Sequence, residues 1–168
     1  MKTIAMSNSF KISAIAILFT AFASCTKQDL GGLNQFSDIR PVNPITVQNA
    51  VDYRPGPTVT VSKSGTGAFS IILALPATSA RSIKEITSVA ISTSYTAIEG
   101  TTGLYNTAPI PGSGKTATFN TSLTEYQAKG GKLPPATNAE LTSQFYFLVT
   151  LDDGSTVLTT PVRVLYLD

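Results

Sequence analysis

Alternation of apolar and polar residues after residue 57 constrains the fold of this chain more than any other feature of its sequence. Such runs occupy residues 58–62, 69–75, 89–97, 116–121, 144–151 and 156–167. A period of two places successive side chains on opposite faces of a strand, and the runs are rich in β-branched and aromatic residues. The sequence therefore predicts an all-β fold, an antiparallel β-sandwich of about six to eight strands, with a closed barrel as the alternative.

The last two runs are separated by residues 152–155, which read Asp-Asp-Gly-Ser. Asp-Gly tolerates the positive φ of a tight turn, so this segment predicts a hairpin. We expect residues 156–167 to pair antiparallel with residues 144–151. Pro161 lies inside the final run and lacks an amide donor, which predicts an edge position or a bulge there.

A single short helix is predicted between two of the strands. Ser122 and Glu125 have the spacing of a capping box, and Gly130 follows at the distance of a helix stop. Residues 137–140 repeat the capping-box spacing, which indicates one further helical turn.

The N-terminal segment has the pattern of an export signal. Lys2 and Lys11 precede a run from residue 12 to residue 23 that is apolar apart from Ser13 and Thr20, and the single cysteine of the chain, Cys25, follows it. The run is shorter than the roughly 20 residues that a spanning helix needs. The sequence predicts a signal helix over residues 1–24 that is removed before Cys25.

Residues 22–25 read Phe-Ala-Ser-Cys and resemble the lipobox of bacterial lipoproteins, although Phe22 stands where that pattern usually has Leu. The resemblance implies that Cys25 is lipidated and becomes the new N-terminus. Two or more acyl chains hold a protein on a membrane without a spanning helix. We therefore expect a lipidated cysteine and flexible tether over residues 25–43, followed by the β-sandwich domain over residues 44–168.

Charge and composition narrow the classes of function. Without the signal, the side chains carry ten basic and ten acidic groups, and the chain contains no histidine. A neutral domain is a poor match to nucleic acid, because binding to phosphates needs excess positive charge. The absence of histidine excludes Ser-His-Asp and Cys-His catalysis and histidine-based metal sites. We predict no catalytic residue, no metal site and no cofactor.

Two segments resemble reactive motifs only in part. Asp152 and Asp153 could serve a carboxylate-based hydrolase or bind calcium, but adjacent acids in a turn lack the spacing of either site. Residues 111–116 resemble the end of a phosphate-binding loop, but Pro109 stands where that motif requires glycine. Turns are the better interpretation of both segments.

Four tyrosines are the candidate ligand-binding residues. Tyr95, Tyr105, Tyr126 and Tyr146 fall near predicted strands and loops. Aromatic rings can stack on the apolar faces of sugars, and phenol groups can hydrogen-bond to hydroxyls. Tyrosines that cover the sheet are the alternative.

The sequence around Cys25, the polar segment after it and the β-rich remainder look like small lipoproteins of the Bacteroidota. Many of these stand on the outer membrane beside starch-utilisation-type uptake systems, and others carry immunoglobulin-like or uncharacterised β-sandwich domains. The resemblance implies a non-enzymatic lipoprotein anchored in the bacterial cell envelope, at the outer rather than the inner membrane. It also implies a role as an accessory binding or assembly module, with a transporter, another surface protein or a glycan as partner. A structural or adhesion module is the alternative, and fold-level analogy cannot decide between them.

Overall fold

The computed structural model describes residues 43–168, which contain ten strands, one 3₁₀ helix and one α-helix. The predicted signal over residues 1–24 and all but the last residue of the tether over residues 25–43 lie outside the described residues. The strands are β1 (Thr46–Val47), β2 (Thr58–Ser62), β3 (Ala68–Ala74), β4 (Ile83–Ser92), β5 (Ile110–Pro111), β6 (Thr116–Ser122), β7 (Ala139–Glu140), β8 (Gln144–Leu151), β9 (Thr156–Leu158) and β10 (Arg163–Leu167). The 3₁₀ helix is Tyr95–Ile98 and the α-helix, α1, is Leu123–Ala128.

The strands form three sheets with the orders β1-β3-β6, β5-β4-β8-β9 and β2-β10-β7. All pairings are antiparallel except that of β10 with β2, which is parallel. The predicted all-β class is therefore confirmed for residues 43–168. The expected six to eight strands become ten because β1, β5 and β7 are two-residue strands at sheet edges or in connections.

Aromatic side chains join the first two sheets face to face. The rings of Phe119 on β6 and Phe147 on β8 lie 5.5 Å apart, and those of Phe69 on β3 and Phe145 on β8 lie 5.9 Å apart. Both pairs meet edge to face, the geometry that aromatic quadrupoles favour. One continuous hydrophobic core includes these rings and apolar residues of all three sheets. The layers of the described residues form a sandwich-like arrangement rather than the alternative closed barrel.

The strand predicted over residues 89–97 is displaced in the structure. β4 begins at Ile83 and ends at Ser92, and the following residues form the 3₁₀ helix. The Ser94 side chain accepts a hydrogen bond from the amide of Thr96, so it caps the helix instead of extending the strand. The first half of β4 was not predicted, because register shifts between Ile83 and Ser88 interrupt the alternation of apolar and polar residues.

The C-terminal hairpin is confirmed in its first half. Gly154 has φ +82° in the turn, and β9 pairs antiparallel with β8. Leu148 lies opposite Leu158 while Phe145 lies opposite Val162, so the later strand has one extra residue in this interval. That interval contains Pro161, so of the two features predicted there, an edge position or a bulge, the structure has the bulge.

Beyond Val162 the prediction of continued pairing with residues 144–151 is wrong. β10 pairs with β7 on one side and runs parallel to β2 on the other. Turn chemistry controls only the strands that flank the turn. The partners of β10 are selected by burial of Val164 and Tyr166 in the shared core.

The predicted helix is present as α1. The Ser122 hydroxyl accepts a hydrogen bond from the Glu125 amide at 3.1 Å, and Gly130 follows the helix with φ +90°. The second capping-box sequence, residues 137–140, does not start a helix. It contains β7, where Glu140 forms an ion pair with Arg163 of β10.

Candidate functional site

The four candidate tyrosines do not form a common surface. Tyr105, Tyr126 and Tyr146 expose 2%, 0% and 4% of their area, whereas Tyr95 exposes 56%. Tyr105 and Tyr126 contact Phe145 in the main core, and Tyr146 belongs to a smaller cluster with Ala90 and Ile98. Stacking on a sugar requires an exposed ring face, which of the four only Tyr95 presents.

The hydroxyls of Tyr105 and Tyr126, both buried in the main core, link separate segments. The Tyr105 hydroxyl is hydrogen-bonded to that of Thr121 at 2.5 Å, and Thr121 in turn bonds the Glu125 carboxylate at 3.1 Å. Burial raises the pKa of Tyr105 to about 12. The Tyr126 hydroxyl accepts from the amide of Ser143 at 3.0 Å. These contacts give both tyrosines a structural role.

The two aspartates of the hairpin turn are engaged locally. Asp153 accepts hydrogen bonds from the hydroxyl and the amide of Ser155, and Arg81 lies 2.8 Å from its other oxygen. Mainly through the Ser155 hydroxyl, these contacts lower the pKa of Asp153 below the usual range. Asp152 accepts a hydrogen bond from Ser82. Within residues 43–168, no group of three or more acidic, cysteine or histidine residues is placed to hold a metal ion.

The segment that resembles a phosphate-binding loop is a turn between two strands. Ser113 and Thr116 form a backbone bridge across it, and β6 follows at once. A phosphate-binding loop would open a helix at this point. The Lys115 ammonium donates to the backbone carbonyl of Ala77.

Asparagine side chains cover the parts of β3 and β4 that the two-residue strands β1 and β5 leave unpaired. Asn49 donates to the carbonyl of Ser70 and accepts from the amide of Ile72, both on β3. Asn106 donates to the carbonyl of Thr87 and accepts from the amide of Val89, both on β4. Each carboxamide thus replaces a peptide group of a neighbouring strand. Stretches covered in this way resist pairing with other chains.

The outer edge of β6 has no such cover. Leu123 donates to Gly67 at 2.9 Å, and Leu75 donates to Lys115 at 2.9 Å, so the odd-numbered residues of β6 pair with β3. In an antiparallel pair, the backbone groups of alternate residues point away from the partner strand. Those of Thr118 and Asn120 therefore face outward, where they have no hydrogen-bond partner among the described residues.

A shallow cleft of about 280 Å³ lies beside this edge, between β6 and residues 105–110. We call it the lateral cleft. Its lining includes apolar groups of Ala108, Ile110 and Phe119 and polar groups of Asn120, Glu125 and Lys129. The Lys129 ammonium lies 5.8 Å from the centre of the Tyr105 ring, a cation–π distance. The cleft could accept one side chain of a strand that pairs with β6.

Sequence reasoning missed Asn49, Asn106 and Asn120. The first two act on strands 17 to 23 residues away, and no local pattern reports such a contact. The open edge had a weaker signal. The run 116–122, Thr-Ala-Thr-Phe-Asn-Thr-Ser, contains no charge and no proline, the residues that usually protect an edge strand.

None of the helices in residues 43–168 combines the length and hydropathy needed to cross a membrane. Comparison with known proteins found no matching family model, no similar curated protein and no similar solved structure.

Proposed function

We propose that this chain is a non-enzymatic, lipid-anchored envelope protein that acts as an assembly module. It stands on the bacterial outer membrane through Cys25 and binds other envelope proteins through the outer edge of β6. The anchor is supported by the sequence of residues 1–25, in which a positive segment, an apolar run and small residues precede the single cysteine.

The open edge of β6 is the observation that carries the binding role. An extended segment that adds to a free edge gains backbone hydrogen bonds, and nearby pockets select its side chains. Thr118 and Asn120 offer the backbone groups, and the lateral cleft offers a pocket beside them. The unpaired stretches of β3 and β4 are covered by asparagines, whereas Thr118 and Asn120 of β6 have no such cover among the described residues.

The position of β6 suits a partner that stands in the same membrane. Asn43, where the predicted tether ends, accepts a hydrogen bond from Ser79 at 2.8 Å. Ser79 lies in the connection between β3 and β4, and Leu75 at the end of β3 bonds Lys115 at the start of β6. β6 therefore starts at the end of the domain that contains Asn43, which supports binding to a neighbour on the same membrane.

A glycan is the alternative ligand. The amide of Asn120, the carboxylate of Glu125 and the ammonium of Lys129 could hydrogen-bond to sugar hydroxyls in the lateral cleft. A sugar in the cleft would bind to these side chains, whereas a pairing strand binds to the backbone of β6. A substitution that removes a backbone amide of β6 should therefore weaken binding of a strand and leave binding of a sugar unchanged.

The test is affinity purification of the full lipoprotein from native membranes, with quantification of the proteins that co-purify. Thr118→Pro removes one outward amide without breaking the ladder to β3, because the Thr118 amide faces away from β3. Thr118→Ala keeps the amide and is the matched control. We expect partners with the wild type and Thr118→Ala and their loss with Thr118→Pro. Equal recovery with all three forms contradicts the proposal, as does a wild type that recovers no envelope protein, a co-expressed untagged copy of the chain included.

A further inference from the structure

We infer that the partner at the β6 edge is a second copy of this chain, whose β6 pairs antiparallel with the first across a twofold axis. The inference rests on the proposed function and assigns a partner to the same edge. The pairing would join two β1-β3-β6 sheets into one sheet of six strands.

The two ends of β6 limit which residues can pair. Thr116 exchanges both backbone hydrogen bonds with Ser113, at 2.7 and 3.2 Å. Ser122 is the N-cap of α1, and the carbonyl of an N-cap residue accepts the first hydrogen bond of its helix. Within β6, only Thr118 and Asn120 therefore have both outward backbone groups without a partner among the described residues.

A single register between two copies of β6 gives every outward N–H and C=O group of Thr118 and Asn120 a hydrogen-bond partner. If Phe119 lies on the twofold axis, Thr118 of each copy faces Asn120 of the other. Both residues direct their backbone groups outward, so each of the two pairs exchanges two hydrogen bonds, about four in all. A twofold interface needs a surface that is complementary to itself, and this segment meets that condition.

The side chains on the edge also favour self-pairing. Thr118 and Asn120 are exposed and uncharged, so the twofold register places a hydroxyl opposite a carboxamide and brings no like charges together. An edge that must stay single usually carries lysine or proline. β6 has neither residue, and no side chain covers Thr118 and Asn120 as Asn49 and Asn106 cover the unpaired stretches of β3 and β4.

An interface of this size is weak in dilute solution, since few backbone groups must offset the lost freedom of two molecules. Anchoring in one membrane raises the effective concentration of each copy for the other, as a linker does. We therefore expect association to depend strongly on concentration and on the lipid anchor.

The test uses charge pairs that only the inferred register brings together. In Thr118→Lys/Asn120→Lys, each lysine faces a lysine of the second copy. In Thr118→Lys/Asn120→Glu, each lysine faces a glutamate. Like charges directly opposite destabilise a strand pair and opposite charges stabilise it, so we expect dissociation constants that differ by about tenfold or more.

Sedimentation of the full lipoprotein in detergent, over a range of concentrations, measures association of the wild type and both variants. Thermal unfolding in dilute samples shows whether each variant folds. We expect concentration-dependent dimers for the wild type and the Lys/Glu variant and monomers for the Lys/Lys variant. Equal dissociation constants for two folded variants, or a wild type that stays monomeric at every concentration, overturn the inference.

Failure of the inference is distinguishable from failure of the proposed function. A monomeric wild type that still captures another envelope protein, with capture abolished by Thr118→Pro, overturns self-pairing but leaves the assembly role. A monomeric wild type that captures nothing contradicts both.

Discussion

Asn49 and Asn106 make the same pair of hydrogen bonds to two inner strands, β3 and β4, where the two-residue strands β1 and β5 leave them unpaired. Each donates to a carbonyl and accepts from the amide two residues later, Ser70 and Ile72 in one case and Thr87 and Val89 in the other. One asparagine covers the β1-β3-β6 sheet and the other covers the sheet that faces it. The sandwich therefore has matching side-chain covers on two inner strands and an open edge at β6.

Loss of the Asn106 carboxamide should destabilise the domain. In Asn106→Ala, the Val89 amide and the Thr87 carbonyl lose their partner, and we expect the free energy of unfolding to fall by about 1–3 kcal/mol. Asn106→Asp should lower the free energy of unfolding by at least as much, because a carboxylate oxygen then faces the Thr87 carbonyl in place of the donor nitrogen. Thr107→Ala, at an exposed neighbour, should change stability by less than about 0.5 kcal/mol. Urea denaturation measures all three, and equal stability of Asn106→Ala and Thr107→Ala contradicts the role of the carboxamide.

The buried hydroxyl of Tyr105 should make stability fall at high pH. An unfolded tyrosine ionises near pH 10, whereas the pKa of Tyr105 is raised to about 12 in the folded protein. Between these values the unfolded state has released the proton that the folded state keeps, so stability declines as pH rises, by up to about 2–3 kcal/mol.

Tyr105→Phe isolates this contribution. The variant loses the hydrogen bond to Thr121, so it should be less stable than the wild type at pH 7 by about 1 kcal/mol. The variant lacks the ionisable group, so its free energy of unfolding does not share the decline of the wild type. The difference in stability between the two proteins should therefore shrink or reverse as pH rises from 10 to 12. Denaturant unfolding at several pH values tests this, and parallel curves for the two proteins would falsify it.

Gly112 is placed where no side chain fits. Its amide donates to the carbonyl of Lys84 at 2.8 Å, and a Cβ atom would overlap the backbone carbonyl of Ile83. Gly112→Ala should therefore displace β5 from β4 and cost about 1–3 kcal/mol or more. In Gly100→Ala, the nearest atom is 3.6 Å from the new Cβ, so thermal unfolding should hardly change. Equal melting temperatures for the two variants would contradict this placement.

The Ser155 hydroxyl should account for most of the lowered pKa of Asp153. It donates to the carboxylate at 2.6 Å and is the largest of the causes of the shift. Ser155→Ala should raise the pKa of Asp153 toward its usual range, and Ser155→Thr should keep it low. The contact stabilises the folded wild type at pH values above the usual carboxyl pKa. This stabilisation is lost as pH falls through the lowered pKa of Asp153. NMR titration of the carboxyl carbon measures the shift, and an unchanged value in Ser155→Ala contradicts the assignment.

Cys25 should determine attachment to the membrane. Cys25→Ala removes the thiol that we propose carries the lipid, so we expect the protein to move from the membrane fraction to the soluble fraction. Metabolic labelling with a fatty acid should mark the wild type and leave Cys25→Ala unlabelled. Membrane binding as tight as that of the wild type would refute the anchor.

Local patterns in the sequence were sufficient for much of the fold. The strands at residues 58–62, 69–75, 116–121 and 144–151 lie within one residue of their predicted bounds. The hairpin turn at Gly154 and the cap at Ser122 also agree, because a turn and a cap depend on residues only a few positions apart. Alternation failed for β4, where register shifts break the period of two.

The sequence by itself determined the all-β class, the short helix and an edge position or bulge at Pro161, and it is the basis of the proposal that Cys25 is an anchor. Only the tertiary structure decided that β10 runs parallel to β2 and that Tyr105, Tyr126 and Tyr146 are buried. It also decided which unpaired stretches are covered and that the backbone of β6 is open. The physical reason is range: hydrophobic period and turn chemistry act between near neighbours, whereas burial and edge pairing depend on segments that meet only after folding.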